Sequence, residues 1–108
     1  MSEEKKDLIQ RLEELLKQMN PWEKKPVLKA GRIIVELVKL PERRKKSSIE
    51  PEKLVLHIRL EDAFRGVFIE NVDELEDLAA AISAEKIREI ARALTEISKK
   101  KRVQEYEL

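Results

Sequence analysis

The chain has 108 residues and a formal net charge of +1, so its length suits one domain with a modest core and its overall charge indicates no class of partner. Charged residues make up 42% of the chain, against about a quarter in ordinary proteins, and cysteine is absent. Without cysteine there is no disulfide, no zinc–thiolate site and no thiol nucleophile. The abundance of lysine, arginine and glutamate, with few thermolabile residues, predicts a protein from a hyperthermophile.

The apolar runs and the N-terminal residues indicate where the protein works. No apolar run approaches the ~20 residues of a membrane span. The N-terminal stretch MSEEKKDL mixes acidic and basic residues and lacks the apolar segment of a signal peptide. We therefore expect a cytoplasmic protein with no membrane partner.

The first predicted element is an amphipathic helix over residues 1–20. Its apolar residues recur at the spacing of one helical stripe: Leu8, Ile9, Leu12, Leu15, Leu16 and Met19. Pro21 ends the helix, and Trp22 follows in a linker bounded by two prolines. A tryptophan there either stacks on a base or anchors the core, and the sequence leaves both interpretations open.

A small antiparallel sheet is predicted over residues 27–70. Val27–Leu28 and Arg32–Leu40 have the composition of strands around a Lys-Ala-Gly turn, and Arg32–Leu40 is apolar on both faces. Residues 53–60 alternate as a third strand, and residues 67–70 form a fourth.

Residues 41–53, between the second and third strands, are predicted to be a loop without an apolar period. The tip of the loop carries consecutive cations: Arg43, Arg44, Lys45 and Lys46. These cations either neutralise phosphates or form a solvated tip, since a run of charge alone does not distinguish the two.

The alternation of the strands predicts two unlike sheet faces. The core is expected to use the side of the leucines in residues 53–60, together with Val67 and Ile69. The remaining face and its rim then collect cations and both phenylalanines: His57, Arg59, Phe64, Arg65 and Phe68. This concentration is notable because the chain has only one tryptophan, one tyrosine and two phenylalanines.

Aromatic rings beside cations predict a surface for single-stranded nucleic acid. Aromatic side chains stack on unpaired bases of any sequence, and cations along the strand neutralise its phosphates. The alternative is structural: Phe68 packs with Val55 under a helix, and Arg59 pairs with a glutamate.

Two helices are predicted over residues 72–100, the first capped by Asn71 or Asp73. The second helix carries a short heptad seam: Ile87, Ile90, Leu94 and Ile97. This seam either joins subunits or packs against the N-terminal helix. The segment VQEYEL at the C-terminus could form a last strand or a tail that pairs with another subunit.

Catalysis and metal binding have little support in the sequence. His57 could form an acid–base pair with Glu61 or Asp62, but there is no second histidine, and strand geometry directs His57 away from these carboxylates. Gly31 and Gly66 are the only glycines, so there is no glycine-rich phosphate loop. No spacing suggests a metal site, so we expect no enzyme, no metal and no cofactor.

The order of these elements resembles the ThermoDBP group of archaeal single-stranded DNA-binding proteins, in particular the shorter ThermoDBP-related proteins. The resemblance spans nearly the whole chain and is carried by MNPWEKKPVLKAGRIIVELVKL, the basic loop, LVLHIRLEDAFRGVFIE and the NVDELEDLAAAI helix with the zipper-like helix after it. It implies an α+β domain with an aromatic and basic nucleic-acid surface, homo-oligomerisation, and neither enzyme activity nor metal. The long C-terminal zipper of ThermoDBP itself is absent here.

Together these observations predict one α+β domain over residues 1–108, with a small antiparallel sheet packed on one face by the N-terminal and C-terminal helices. The expected function is sequence-tolerant binding of single-stranded nucleic acid, DNA in preference to RNA, by a homodimer or homotetramer. The alternative is a protein-interaction or assembly module, in which the second sheet face is an interface between subunits. A concave, basic face favours the first hypothesis, and a flat, apolar face favours the second.

Overall fold

The computed structural model describes residues 3–101 and has the predicted α+β class, with an antiparallel sheet and helices at both ends of the chain. Its elements in chain order are α1 (Glu3–Gln18), β1 (Lys24–Ala30), β2 (Ile33–Leu40), β3 (Arg43–Arg44), β4 (Ile49–Glu50), β5 (Lys53–Leu60), β6 (Val67–Ile69), α2 (Val72–Ser83) and α3 (Glu85–Lys101). The chain divides into two compact units between Asn71 and Val72.

The first unit contains a four-stranded antiparallel sheet in the order β1-β2-β5-β6 and a separate two-stranded sheet of β3 and β4. The second, third and fourth strands of the larger sheet lie where the sequence predicts them. Two boundaries differ. β1 begins at Lys24, within the predicted linker, because residues 24–26 pair with β2 in spite of Pro26. The predicted loop 41–53 contains the β3–β4 hairpin, in which Arg43 lies opposite Glu50.

The two edges of the larger sheet resist pairing with another strand. β1 carries Pro26, which has no N–H to donate, and its register shifts between Pro26 and Leu28, the disruption of a β-bulge. β6 at the other edge has only three residues. Both are features by which natural sheets avoid edge-to-edge association.

One face of the sheet carries the leucines of β5 and contacts α1. Ile9, Leu12 and Leu16 of α1 line a shallow cavity with Leu54. At the end of the helix, Met19 is buried, and its carbonyl oxygen accepts a 2.8 Å hydrogen bond from Lys39 Nζ. The apolar stripe of α1 therefore lies on the predicted side of the sheet.

The opposite face contains the most deeply buried side chains, which corrects the expectation that the core leaves this face unused. Val38 is 0% exposed, Glu36 1%, His57 2% and Val55 3%. Strand alternation assigns residues to faces but does not show which loops cover them. Here Trp22, Lys24 and residues 64–66 line a cavity together with the buried Val38 and His57.

The second unit is a pair of helices, α2 and α3, which contact each other. Only Ala84 separates them, and its carbonyl oxygen accepts hydrogen bonds from the amides of Ile87 and Arg88. No helix within the described range is long and apolar enough to cross a membrane. The predicted C-terminal strand or tail, residues 103–108, lies outside the described residues.

Gly66 allows the segment before β6 to lie directly on β5. A methyl group at this position would overlap the carbonyl oxygen of Ile58 and come within 2.8 Å of Arg59 Cβ. Gly31, in the β1–β2 turn, has φ 59° and nothing within 4 Å of an added Cβ.

We predict that Gly66→Ala lowers the free energy of unfolding by about 1–3 kcal/mol, because the backbone must move to admit the methyl group. Urea denaturation followed by circular dichroism measures the change. Gly31→Asn is the matched control, since asparagine tolerates a left-handed backbone and the added atoms meet open space. Equal stability of wild type and Gly66→Ala would contradict the close approach of residue 66 to β5.

Candidate nucleic-acid interface

Trp22 occupies a strained turn between α1 and β1. Its φ is 67°, in a region that bulky side chains rarely adopt. The Glu23 amide donates to the Asn20 carbonyl oxygen, with Pro21 and Trp22 between them, which is the residue pattern of a type II turn in which glycine normally holds the tryptophan's position. Backbone hydrogen bonds from Trp22 N to Lys39 O and from Lys39 N to Glu23 O hold this conformation.

The side chain of Trp22 is 54% exposed, so it is not the buried core anchor that was one of the two interpretations of the sequence. It lines a cavity of about 420 Å³ on the sheet face opposite α1. The other lining residues come from β1, β2, β5, β6 and the segment before β6: Lys24, Val38, His57, Phe64, Arg65, Gly66 and Phe68. The structure thus brings the predicted aromatic residues around one depression.

A second cavity of about 220 Å³ lies beside the first and shares Trp22 and Phe68 with it. Its remaining walls are more polar and come from β2, the β3–β4 hairpin, β5 and the end of β6: Leu40, Pro41, Arg43, Glu50, Pro51, Lys53 and Glu70. Trp22 and Phe68 therefore form a partition between two depressions, and both rings keep about half of their surface exposed.

Phe64 is the most exposed large apolar residue in the described chain, at 83%. The ammonium of Lys24 lies 4.4 Å from the centre of its ring, a cation–π contact that holds one side of the ring. A ring exposed to this extent gains little from core packing. Its position at the rim of the larger cavity suits contact with a ligand.

A buried carboxylate lies beneath the larger cavity. Glu36 Oε2 is 2.8 Å from His57 Nδ1 and 2.9 Å from Arg59 Nε, and Lys24 Nζ lies 3.9 Å from the same oxygen. Burial raises the pKa of Glu36, but hydrogen bonds from Arg59 and His57 and the charges of Arg59 and Lys24 outweigh it. The net result is a pKa below the ordinary value of 4.5.

Arg59 is occupied by contacts within the protein. Its Nε and Nη2 donate to Glu36, and its Nη1 is within 3.3 Å of the carbonyl oxygens of Leu60, Glu61 and Ala63. The alternative in which Arg59 pairs with a glutamate is therefore the one observed. Arg59 was predicted to contact phosphates. In the structure it holds the segment that leads to Phe64.

His57 is also enclosed rather than displayed on the surface. Its ring centre lies 4.7 Å from that of Phe68, and its Nδ1 faces Glu36. Glu61 and Asp62, the carboxylates considered for an acid–base pair, make ion pairs with Arg32. Within residues 3–101, no three acidic or histidine side chains are grouped to hold a metal ion.

The cations of the β3–β4 hairpin are exposed, as predicted for a phosphate contact or for a solvated tip. Lys45 forms a 2.7 Å ion pair with Glu50, which lowers the pKa of Glu50. In the described part of the chain, Arg43, Arg44 and Lys46 form no ion pair, and neither does Arg65 at the rim of the larger cavity. Their side chains are exposed and accessible to an external anion, and the charge of Arg43 also contributes to the lowered pKa of Glu50.

The sequence interpretation missed Lys24, Glu36 and Lys53 as parts of this region. Glu36 had a recognisable signal, because it is the single charged residue within the apolar run Ile33–Val38. Lys53 makes a 2.8 Å ion pair with Glu70, and that hydrogen bond raises the pKa of Lys53. This contact joins β5 to the end of β6, and nothing in the local sequence pattern predicts it.

No protein-family model, curated protein or solved structure matches this chain.

We predict that wild-type protein loses stability as the pH falls below 4.5, because Glu36 is ionised more readily in the folded state than in the unfolded state. A lowered folded-state pKa contributes stability above the unfolded value, and this contribution disappears as the pH falls through the folded value. Urea denaturation at several pH values between neutral and strongly acidic should show a shallower decline for Glu36→Gln. Identical slopes would contradict the role of Glu36, and Glu13→Gln on exposed α1 is the control.

Proposed function

We propose that this protein binds single-stranded nucleic acid with little regard to sequence, by stacking unpaired bases on Trp22, Phe64 and Phe68. The observation that carries the proposal is the pair of adjoining cavities, which share Trp22 and Phe68 and have exposed aromatic walls. Base–aromatic stacking is tolerant of sequence because every base has a π-face, and it contributes about 1–3 kcal/mol per base.

Cations at both ends of the partition supply the phosphate contacts. Arg65 lies at the larger cavity and Arg43 at the smaller one. Arg44 and Lys46 extend the positive charge along the β3–β4 hairpin, whose side chains are exposed. A strand that crosses the partition would thus meet cations before and after its stacked bases, and binding would release counterions.

The partition also favours a single strand over a duplex. Two neighbouring bases that enter the two cavities must separate to admit the exposed rings of Trp22 and Phe68. Unpaired bases separate at small cost, whereas paired bases must first be unstacked and unpaired.

DNA is the expected ligand in preference to RNA, and membership of the ThermoDBP group stays a prediction.

Self-association is favoured by a surface outside the sheet. The predicted seam on α3 is about half exposed: Ile87 47%, Ile90 46%, Leu94 58% and Ile97 51%. A regular apolar stripe of this kind is typical of a helix that joins another helix. We propose that the seam forms a homodimer or homotetramer, which would combine several binding faces and raise avidity.

We predict that the protein binds a labelled oligothymidine in a fluorescence anisotropy titration, and that Trp22→Gly weakens binding by about 1–3 kcal/mol without changing the salt dependence. Stacking releases no counterions. Glycine also relieves the left-handed backbone strain at residue 22, worth roughly 1–2 kcal/mol, so the variant should remain folded.

The double variant Arg43→Ala/Arg44→Ala should make the slope of log K against log salt shallower by roughly 0.7 per lost phosphate contact.

The control for the arginine variant is Lys99→Ala/Lys100→Ala, which removes the same charge near the end of α3. Equal effects of the two double variants would mean that only overall charge matters. Equal or tighter binding of duplex DNA of the same length would reject the stacking proposal. Loss of binding in Trp22→Gly with an altered salt slope would reject the assignment of Trp22 to stacking.

We predict that sedimentation equilibrium gives at least a dimer at micromolar protein concentration, and that Ile90→Gln/Leu94→Gln shifts the mass towards the monomer. Removing the apolar stripe removes the surface that association would bury. Glu89→Gln/Arg92→Gln, on the same helix but outside the seam, should leave the mass unchanged. A monomeric wild-type protein would contradict the proposed role of the seam.

A further inference from the structure

We infer that Glu36 is the positioning residue of the aromatic site: its buried carboxylate holds the elements that carry Phe64 and Phe68 in their binding arrangement. The inference rests on the proposed function, because it concerns how that same site is organised. Glu36 itself is 1% exposed and lies beneath the larger cavity. It is therefore enclosed and acts through its neighbours.

The first route from Glu36 leads through Arg59 to Phe64. The carboxylate receives hydrogen bonds from Nε and Nη2 of Arg59, which fixes the plane of the guanidinium. The remaining nitrogen, Nη1, donates to carbonyl oxygens along residues 60–63. Phe64 comes immediately after this segment. Through Arg59, the carboxylate of Glu36 therefore fixes the backbone position from which the Phe64 side chain extends.

The second route leads through His57 to the partition. His57 donates from Nδ1 to Glu36 when that nitrogen carries the proton, and its ring contacts the ring of Phe68 at 4.7 Å between centres. His57 and Phe68 also lie directly opposite each other on β5 and β6. Fixing the imidazole against Glu36 therefore fixes the surface on which Phe68 rests.

A third contact links Glu36 to the ring of Phe64 through Lys24. Lys24 lies 3.9 Å from Glu36 Oε2 and 4.4 Å from the centre of the Phe64 ring. The carboxylate attracts the ammonium, and the ammonium in turn attracts the face of the ring. All three neighbours of Glu36 thus contact an aromatic residue of the site or the segment beside it.

Charge alone predicts the opposite effect of Glu36 on binding. A carboxylate beneath a surface for a polyanion repels phosphates, so its removal should tighten binding if no positioning is involved. Positioning predicts weaker binding, because misplaced rings no longer stack. The direction of the change in affinity therefore separates the two roles.

The test is a titration of the full chain with oligothymidine at neutral pH, comparing wild type, Glu36→Gln, Phe64→Ala/Phe68→Ala and the triple variant. Glutamine keeps the size of glutamate but removes its charge. We expect Glu36→Gln to weaken binding about fivefold or more, the lower end of the loss of one stacked base. Added to the variant without the two rings, it should leave affinity unchanged or raise it, because nothing remains to be positioned.

Two comparisons control this cycle. In the Arg43→Ala/Arg44→Ala background, Glu36→Gln should weaken oligothymidine binding by the same factor as in the wild-type background, because the hairpin cations do not depend on the carboxylate. Urea denaturation of each variant establishes that it is folded at the titration temperature. The inference is overturned if Glu36→Gln tightens binding, leaves it unchanged, or weakens it equally with and without the two rings.

A measurement without nucleic acid distinguishes failure of the inference from failure of the proposed function. The amides of Glu61 and Ala63 donate to backbone carbonyl oxygens and should be protected from hydrogen exchange. We expect Glu36→Gln to accelerate their exchange and to leave the amide of Lys45, in the β3–β4 turn, unchanged. Arg59→Lys keeps a cation beside Glu36 but loses the hydrogen bonds to several carbonyl oxygens. It should also accelerate exchange at Glu61 and Ala63 and leave Lys45 unchanged.

If wild type binds no oligothymidine but both variants show faster exchange, the proposed function fails and the organisation of the loop by Glu36 stands. If exchange at Glu61 and Ala63 is unchanged in both variants, the positioning role is overturned whatever the binding result.

Discussion

The ionised carboxylate of Glu36 is buried, with 1% of the residue exposed, and its contacts organise much of the candidate site. A buried charge without partners would cost several kcal/mol, so its surroundings must provide donors. These partners come from the two strands on either side of β2: His57 and Arg59 of β5 provide hydrogen bonds, and Lys24 of β1 provides a positive charge 3.9 Å away. Each of these partners is thereby held in position. Arg59 in turn holds residues 60–63, His57 contacts Phe68, and Lys24 contacts Phe64.

Backbone strain is found at Trp22, another residue that lines the same cavity. Trp22 adopts a left-handed backbone conformation that glycine would adopt at little cost. The hydrogen bonds from Trp22 N to Lys39 O and from Lys39 N to Glu23 O maintain it. A folding requirement alone would favour a small residue in this turn. Glycine at residue 22 would favour stability, whereas the proposed base stacking requires the aromatic ring of Trp22.

Sequence periodicity predicted the strands from Ile33, Lys53 and Val67 and both C-terminal helices closely, because apolar alternation and helical spacing are local properties. It also selected Trp22, Phe64, Arg65 and Phe68, which the structure brings to one cavity. The pairing of Arg59 and His57 with Glu36 depends on contacts across 21 to 23 residues, which alternation does not encode. The start of β1 was missed because Pro26 normally opposes a strand.

The edges of the main sheet limit how copies of this protein can join. Association by β-augmentation requires a free, regular row of N–H and C=O groups, and β1 breaks that row with Pro26 and a bulge while β6 is only three residues long. Association through the edges of this sheet is therefore disfavoured, and contacts between side chains are favoured instead. A contact between side chains cannot add further subunits once its apolar surface is covered. Growth into open-ended fibres through the sheet edges is therefore disfavoured.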